Sequence, residues 1–492
     1  MPESKVDTTP PNYLQINQGN NELIQPNISS IISEPNMSHD DSLLGVFYGI
    51  GMNVNNVLGS GIVTSPGIIW NLVKSPRIIL ILWLIGGLIS MTGTLTYVEL
   101  GAMHKISGGE TKYLQTAYPK PKLMMSYLFS LMFIFAIQPG IISSVLQTAA
   151  LYFWYTITGS QYDKDPEEYD NFKFSPMWSI KIIAIATIIG IVKLIINWET
   201  SRSNWHEPLK VDTGIIEYSH SILLIMFSYN GWNNLNYSLD EFRNPEKKLI
   251  FSNSISVGIV SIMYLLVNIA YISVLPKVDV DNETTNETIA ASFFSQLFKS
   301  DIVVRIFTLL IALSVIGTAA ALVWSGSRVI LAAARSNFFP VYSDQLRTWH
   351  EDYNTPVNAL LVQFIWCSLI ILFVGENKTI TSRESFKMFA IYSLWFFYLA
   401  TGVGLVVLRY KRPEEHRPFK VWLPITGLFI LAGIFILLYP LIVECSDKRN
   451  CINIVRNPIY LSYGFLFIAL MSWCLKKKQQ ADIDTTEFYT SS

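Results

Sequence analysis

Two short polar interruptions inside apolar runs are where this chain could do chemistry. The first is Gly59-Ser60-Gly61-Ile62, inside the run 43–69. Two glycines around a serine suit a helix interior poorly, since each glycine costs about 1 kcal/mol relative to alanine there. In hydrocarbon a loosened backbone is worse, because unpaired N–H and C=O groups find no water. Such breaks survive where protein or a water-filled cavity satisfies them, and broken helices at membrane depth mark transporter binding sites. A half-helix restarting near Ile62 would aim free N–H groups at an anion. A lone Gly-x-Gly also fits a plainer role, close packing of two membrane helices. The second interruption, Ser228-Tyr229-Asn230-Gly231-Trp232-Asn233-Asn234 inside 214–239, tips the balance towards a site.

The elements that hold these breaks follow from composition. Of 492 residues, 51% are hydrophobic and 15% charged, against about 25% charged in soluble domains. Many apolar runs reach the roughly 18–20 residues that cross a bilayer. The fold class is therefore an all-α polytopic membrane protein, with the lipid bilayer as its solvent. A net charge of −1 gives no reason to expect a nucleic-acid partner. The spans show no metal spacing, paired carboxylates or nucleophile motif, so neither an enzyme, a metal nor a cofactor is expected. Cys367 and Cys474 lie in apolar spans. Cys445 and Cys451 share a short loop and could form a disulfide if that loop faces an oxidising compartment.

Residues 1–42 are rich in Asn, Ser, Pro and Gln, without a basic region leading into an apolar one. They read as a disordered cytosolic tail rather than a cleavable signal. The membrane domain is 43–475, and 476–492 is a cytosolic C-terminal tail. Spans are expected at 43–69, 78–101, 123–155, 176–197, 214–239, 250–275, 302–325, 357–374, 386–408, 421–443 and 458–475. Gln138-Pro139-Gly140 should kink the third. Glu99 is expected at the membrane interface, and His104 and His206 in solvated loops.

Basic loops follow the second span, Asn244, Ser325 and Leu408, and Lys476-Lys477-Lys478 follows the last span. The positive-inside rule puts them all in the cytosol. The acidic loop after Leu275 then falls outside, with its two glycosylation sequons at Asn282 and Asn286. Cys445 and Cys451 fall outside as well. One crossing is missing from this count. Between Lys122 and Arg243 an even number is required and three are visible. The stretch 198–212 holds Glu199, Arg202, His206, Glu207, Lys210 and Asp212, too costly for the bilayer centre. Eleven spans stand where charge asks for twelve.

Several motifs carry a family resemblance. Gly59-Ser60-Gly61-Ile62-Val63-Thr64-Ser65-Pro66 resembles the first-helix motif of permeases in the amino acid–polyamine–organocation superfamily. Tyr229-Asn230-Gly231-Trp232-Asn233-Asn234-Leu235-Asn236-Tyr237, with Glu241 and Asn244-Pro245-Glu246-Lys247, resembles the sixth-helix motif of its L-type amino acid transporters. Ser107-Gly108-Gly109-Glu110 with Tyr113-Leu114 is similar to fungal methionine-permease-like members. Ala332-Ala333-Ala334-Arg335 and Thr355-Pro356-Val357 resemble the eighth-to-ninth loop. The resemblance implies an inverted-repeat transporter fold of twelve helices, the first and sixth discontinuous. Here the fourth and fifth look fused: 174–181 resembles the start of one and 192–196 part of the other. Either a splice or truncation product or a divergent protein with a re-entrant segment would look this way.

The implied function is passage of a neutral L-amino acid, methionine-like or large and apolar, across a membrane by alternating access, in symport with protons or by exchange. The alternative is a non-transporting amino-acid-binding sensor or an inactive isoform. A zwitterion needs donors for its carboxylate and acceptors for its ammonium. Ser60, Gly61 and Ile62, after Gly59, would supply N–H groups. Phe227, Ser228 and Tyr229 would supply carbonyls, and Asn55 and Asn56 side-chain contacts. Trp232 and Tyr229 are candidates for an aromatic pocket. Tyr392 and Trp395, on the tenth family helix, are gate candidates or ordinary core. Lys193 matches a family lysine that stands in for a coupling sodium ion, and it could equally snorkel to the interface. Family members in animals join a glycoprotein through a cysteine after the third helix. The loop 156–175 has none, so no disulfide-linked subunit is expected. The plasma membrane is favoured over an internal one.

Overall fold

The computed structural model describes residues 45–121, 123–159, 205, 215–242, 244–276, 288–298, 300–339, 342–350, 355–375, 380–442 and 457–490; the side chains of 215–216, 372–375, 380–384 and 478–490 are not among them. The tail 1–42, the span 176–197 with Lys193, the sequons at Asn282 and Asn286, and Cys445 and Cys451 lie outside the described residues. So does 198–212, Trp205 apart.

The described residues form helices and turns without a strand, the β-pairing among them being isolated bridges at Phe242 and between His350 and Thr355. The first membrane helix is split. Helix α1 (Val46–Val57) stops, Leu58 and Gly59 are irregular, and α2 (Ser60–Val73) restarts. Lys74 then turns through the left-handed region, and Pro76 opens α3 (Pro76–His104) at a position where a missing N–H costs nothing. A short helix α4 (Glu110–Ala117) precedes α5 (Met124–Met132). Through a π-helical turn at Phe133–Ile137, α5 continues into α6 (Gln138–Thr158). The kink expected at Gln138-Pro139-Gly140 thus takes the form of a widened turn just before Pro139, whose ring and missing N–H disrupt the regular ladder.

The sixth-helix segment is split too. Helix α7 (Ile215–Ser228) gives way to turns, then to 3₁₀ segments at Asn234–Tyr237 and Leu239–Glu241. Next come α8 (Pro245–Val274), α9 (Ile289–Leu297), α10 (Asp301–Arg335), α11 (Val357–Gly375), α12 (Ile380–Lys411), α13 (Leu423–Ile442) and α14 (Asn457–Thr490). Helix α14 runs past 475, into the stretch expected as a tail. Among the described residues seven helices are long and apolar enough to cross a membrane. With the two broken helices and α11, ten of the eleven expected spans are accounted for.

The broken helices sit inside, α1 against α8 and α10, and α2 against α7. The outer faces are apolar. Ile81, Leu84 and Leu88 on α3, Phe251, Ile255, Ile259 and Ile262 on α8, and Phe364 and Ile365 on α11 are all exposed. An apolar surface of that extent belongs in lipid, not water.

One end of the molecule is tied by charge. Lys105 pairs with Glu246, Arg335 with Asp240, and Arg328 with Glu241 at 2.8 Å. Glu99 binds Arg409 through both carboxylate oxygens, lies 3.5 Å from Arg417 Nε and accepts from the Val421 N–H. These pairs gather the ends of α3, α10 and α12, the 3₁₀ segments and the start of α8. They are the segments whose basic loops were assigned to one side of the membrane. Glu99 is fully buried in an ion cluster near the end of α3. One expectation is corrected here. His104 is not a solvated loop residue: it ends α3, donating from Nδ1 to the Leu100 carbonyl at 2.8 Å, with Nε2 2.7 Å from the Thr116 hydroxyl. The helix between it and α5 is buried as well, because α4 folds back against α12.

Candidate functional site

The two breaks face each other. A Cβ at Gly61 would collide with Ser228 Cα and lie 2.6 Å from Ser228 Cβ, so only glycine lets the backbones of α2 and α7 meet. A Cβ at Gly59 would press on Thr318 of α10 at 2.7 Å. The Ser228 hydroxyl donates to Ser65 Oγ at 3.0 Å across the junction. Gly231 adopts φ +103°, which L side chains rarely take, and a Cβ there would run into the Asn56 carboxamide. Asn56 Nδ2 donates to the Gly231 carbonyl at 3.3 Å and Asn53 Nδ2 to the Trp232 carbonyl at 3.2 Å.

Polarity at the junction follows from helix direction. Ser60, Gly61 and Ile62 form the first turn of α2, where N–H groups have no acceptor within the helix. The C-terminal carbonyl ends of α1 and α7 point to the same place. Tyr264 of α8 inserts between them, its hydroxyl 2.6 Å from the Val57 carbonyl and 2.7 Å from the Ser228 carbonyl. A positive helix end therefore lies beside two negative ones, a pattern complementary to a molecule carrying both charges.

The expected residues divide. Gly59, Ser60, Gly61, Ile62, Phe227, Ser228 and Tyr229 come together at the junction, all buried. The Phe227 carbonyl already accepts from Asn230 N–H at 3.1 Å, and that of Ser228 meets Tyr264. Trp232 lies in an aromatic layer with Tyr97, Tyr398 and Phe429, which Trp395 joins through Tyr398 and Phe429. Asn55 turns away: its amide donates to the Gly317 carbonyl of α10 at 3.3 Å. Tyr392 also turns away, with its hydroxyl 2.8 Å from the Leu437 carbonyl of α13 and 3.0 Å from the Tyr463 hydroxyl of α14. It does not join the junction.

Sequence reasoning missed Ser65, Tyr264 and Lys387. Lys387 is buried on α12, 5.8 Å from the Phe227 ring centroid. A span starting at 386 would put this lysine at its very end, whereas the helix starts at Ile380. Nothing local marks Tyr264, one tyrosine in an apolar run.

A second polar structure lies beside the junction, built by Ser107-Gly108-Gly109-Glu110. Gly108 and Gly109 donate to the carbonyls of Tyr237 and Asn236 at 3.2 and 3.1 Å, while Ser107 and Asp240 bond reciprocally at 3.0 and 2.9 Å. Gly109 adopts φ +49° and packs so tightly on Tyr237 that a Cβ would stand 2.6 Å from its ring. Glu110 Oε1 accepts from the Tyr97 hydroxyl at 3.0 Å and from Asn233 Nδ2 at 2.9 Å. Asn233 Oδ1 accepts from Tyr398 at 3.0 Å. Asn236 donates to the Tyr97 carbonyl and the Tyr113 hydroxyl and accepts from Asn253, which also accepts from Asn53 of α1. The two motifs are thus the two halves of one buried network.

The sequence model described as "Amino acid permease" matches residues 44–186 and 172–471. The chain belongs to the amino acid permease family. The two matches overlap at 172–186, inside the stretch where the charge count loses a crossing. The chain is similar to b(0,+)-type amino acid transporter 1 of Mus musculus, at 29% identity over 449 residues, covering 86% of this chain and 88% of the relative. The Homo sapiens protein of that name is 27% identical over 459 residues, 88% and 90% of the two chains. Large neutral amino acids transporter small subunit 2 of Mus musculus is 26% identical over 428 residues, 81% of this chain and 76% of its own. These relatives are transporters, not enzymes, and the family is one of multi-pass membrane proteins.

Proposed function

We propose that this permease moves neutral L-amino acids, methionine-like or large and apolar, by alternating access. The substrate would be held as a zwitterion at the paired breaks. The observation that carries this reading is the contact of Gly61 with the Ser228 backbone, which makes two breaks 167 positions apart in sequence a single place. There the carboxylate would meet the first-turn N–H groups of Ser60, Gly61 and Ile62. The ammonium would meet carbonyls at Val57 and Ser228, and Tyr229 and Trp232 would border the side chain. Trp395 extends the aromatic layer and suits a gate better than Tyr392. A plasma-membrane location, with Asn282 and Asn286 glycosylated and Cys445 and Cys451 paired outside, belongs to the same reading. So does the lack of a disulfide-linked subunit, because 156–175 has no cysteine. Uptake of radiolabelled methionine and leucine in transport-deficient cells tests it. Surface-expressed protein that takes up no amino acid would sink it.

A second reading has its own observation: the missing crossing, at the place where the two family matches overlap. On that reading the chain is a non-transporting amino-acid-binding sensor or an inactive isoform. Purified protein that is stabilised by methionine or leucine, yet moves neither in proteoliposomes, would establish it.

A further inference from the structure

Glu110 is a buried acid with no cation paired to it among the described residues. It is fully buried on α4. Its Oε1 takes two donors, its Oε2 is equally buried, and the Tyr237 hydroxyl stands beside the carboxyl as a further hydrogen-bonding group. Glu99, by contrast, lies against two cations, Arg409 and Arg417. An ionised Glu110 would leave a poorly solvated charge on Oε2; a proton there removes it, and the O–H can then donate to the Tyr237 hydroxyl. Burial pushes its pKa up to about 7. A metal cation does not fit the same place, because donors rather than oxygen acceptors converge on the carboxyl.

The neighbouring titratable and charged groups can be named by element. From α3 come Tyr97 and His104, whose ring lies against Tyr113. From α4 come Lys112 and Tyr113, from the 3₁₀ segments Tyr237, Asp240 and Glu241, from α10 Arg328 and Arg335, and from α12 Tyr398 and Arg409. Arg328, Arg335 and Arg409 are held by Glu241, Asp240 and Glu99. Among the described residues no cation pairs with Glu110.

The geometry points to Glu110 as a proton-carrying latch on the basic end. Neutral, it closes the Tyr97–Asn233–Tyr398 knot beneath the paired breaks; on giving its proton to water at that end, it loosens the knot. The step breaks the Oε2–H bond heterolytically and forms hydronium. The resulting carboxylate is stable only once hydrated, so deprotonation and opening are thermodynamically linked. The inference rests on the transport reading and gives it a coupling ion.

The test uses Glu110→Gln, which keeps the size and hydrogen-bonding capacity of the neutral acid. Purified protein is titrated from pH 5 to 9 by difference infrared spectroscopy, and methionine and leucine uptake is measured across external pH. The wild type should show a carboxylic C=O band that fades across neutral pH, absent from the variant. Its uptake should rise by roughly tenfold from pH 8 to 6, following the protonated fraction of one carboxyl titrating near 7, and the variant's should be flat. A band unchanged by the substitution, or a variant with the wild-type pH profile, overturns the latch. If the wild type moves no amino acid, the transport reading falls, and the band alone decides whether Glu110 holds the proton. If the variant does not fold, Glu110→Asp must shift the band's midpoint, and an unshifted midpoint overturns the assignment.

Discussion

Asn233 Nδ2 lies 2.9 Å from Glu110 Oε1 and joins segments 123 positions apart. The same side chain accepts from Tyr398 and donates towards the Tyr237 hydroxyl at 3.2 Å. One carboxamide thus ties α4, α12 and the segment beyond the second break.

Replacing Asn233 with alanine should be costly for that reason. It leaves buried hydrogen-bonding groups on Glu110 and Tyr398 without their partner, each worth about 1–3 kcal/mol. The expected outcome is a clear fall in apparent Tm of the detergent-purified protein. Asn233→Asp should also lower it, since a second carboxyl then faces Glu110.

Stability should depend on pH through Glu110. Its pKa is raised from 4.5 to about 7. Between those values the unfolded carboxyl is ionised while the folded one keeps its proton, so the native state binds more protons. Stability therefore falls as pH rises through this window and levels off above about 7. Melting curves for wild type and Glu110→Gln from pH 4.5 to 8 check this. Their difference should carry that slope, and a flat difference contradicts it.

Gly61→Ala should abolish substrate binding, since the methyl group has no room against Ser228. Gly258→Ala is the control: on α8 a Cβ there meets nothing within 4 Å. It should leave binding intact and stabilise by up to about 1 kcal/mol through helix propensity. Ligand-induced thermal shift with methionine or leucine, at matched surface expression, separates the two.

Glu99→Gln removes the anion shared by Arg409 and Arg417. Breaking one partner of a buried ion cluster typically costs about 3–5 kcal/mol, because the charges left behind stay desolvated. The variant should melt well below wild type, and Glu99→Asp should recover part of the loss.

Helix existence and both breaks were legible in the sequence because each signal is local. Apolar length names a span, and Gly59-Ser60-Gly61 or Asn230-Gly231 interrupts one. The irregular turn before Pro139 was legible for the same reason. Tyr264 was not, since its role depends on where α8 crosses the ends of α1 and α7, more than 200 positions from Val57 in sequence. Glu110 stood in a recognisable motif, yet its chemistry comes from Asn233 and Tyr97 closing over it. His104 was misplaced because the loop after it was read as solvated. The compact α4, with glycines that allow tight contact, buries that end instead. Tyr392 shares a helix with Trp395, and three residues of helical rotation send it to α13 and α14.

Tyr264 has one hydroxyl proton and two carbonyls within reach, those of Val57 and Ser228. The Val57 carbonyl has a second donor, the Gly59 N–H at 2.8 Å, which leaves the phenol proton for Ser228. Each carbonyl then keeps one lone pair for a further donor. A ligand with several N–H bonds on one nitrogen can reach both. Selectivity for a primary ammonium over a tertiary amine of the same charge can thus arise from proton arithmetic, without a carboxylate facing the substrate.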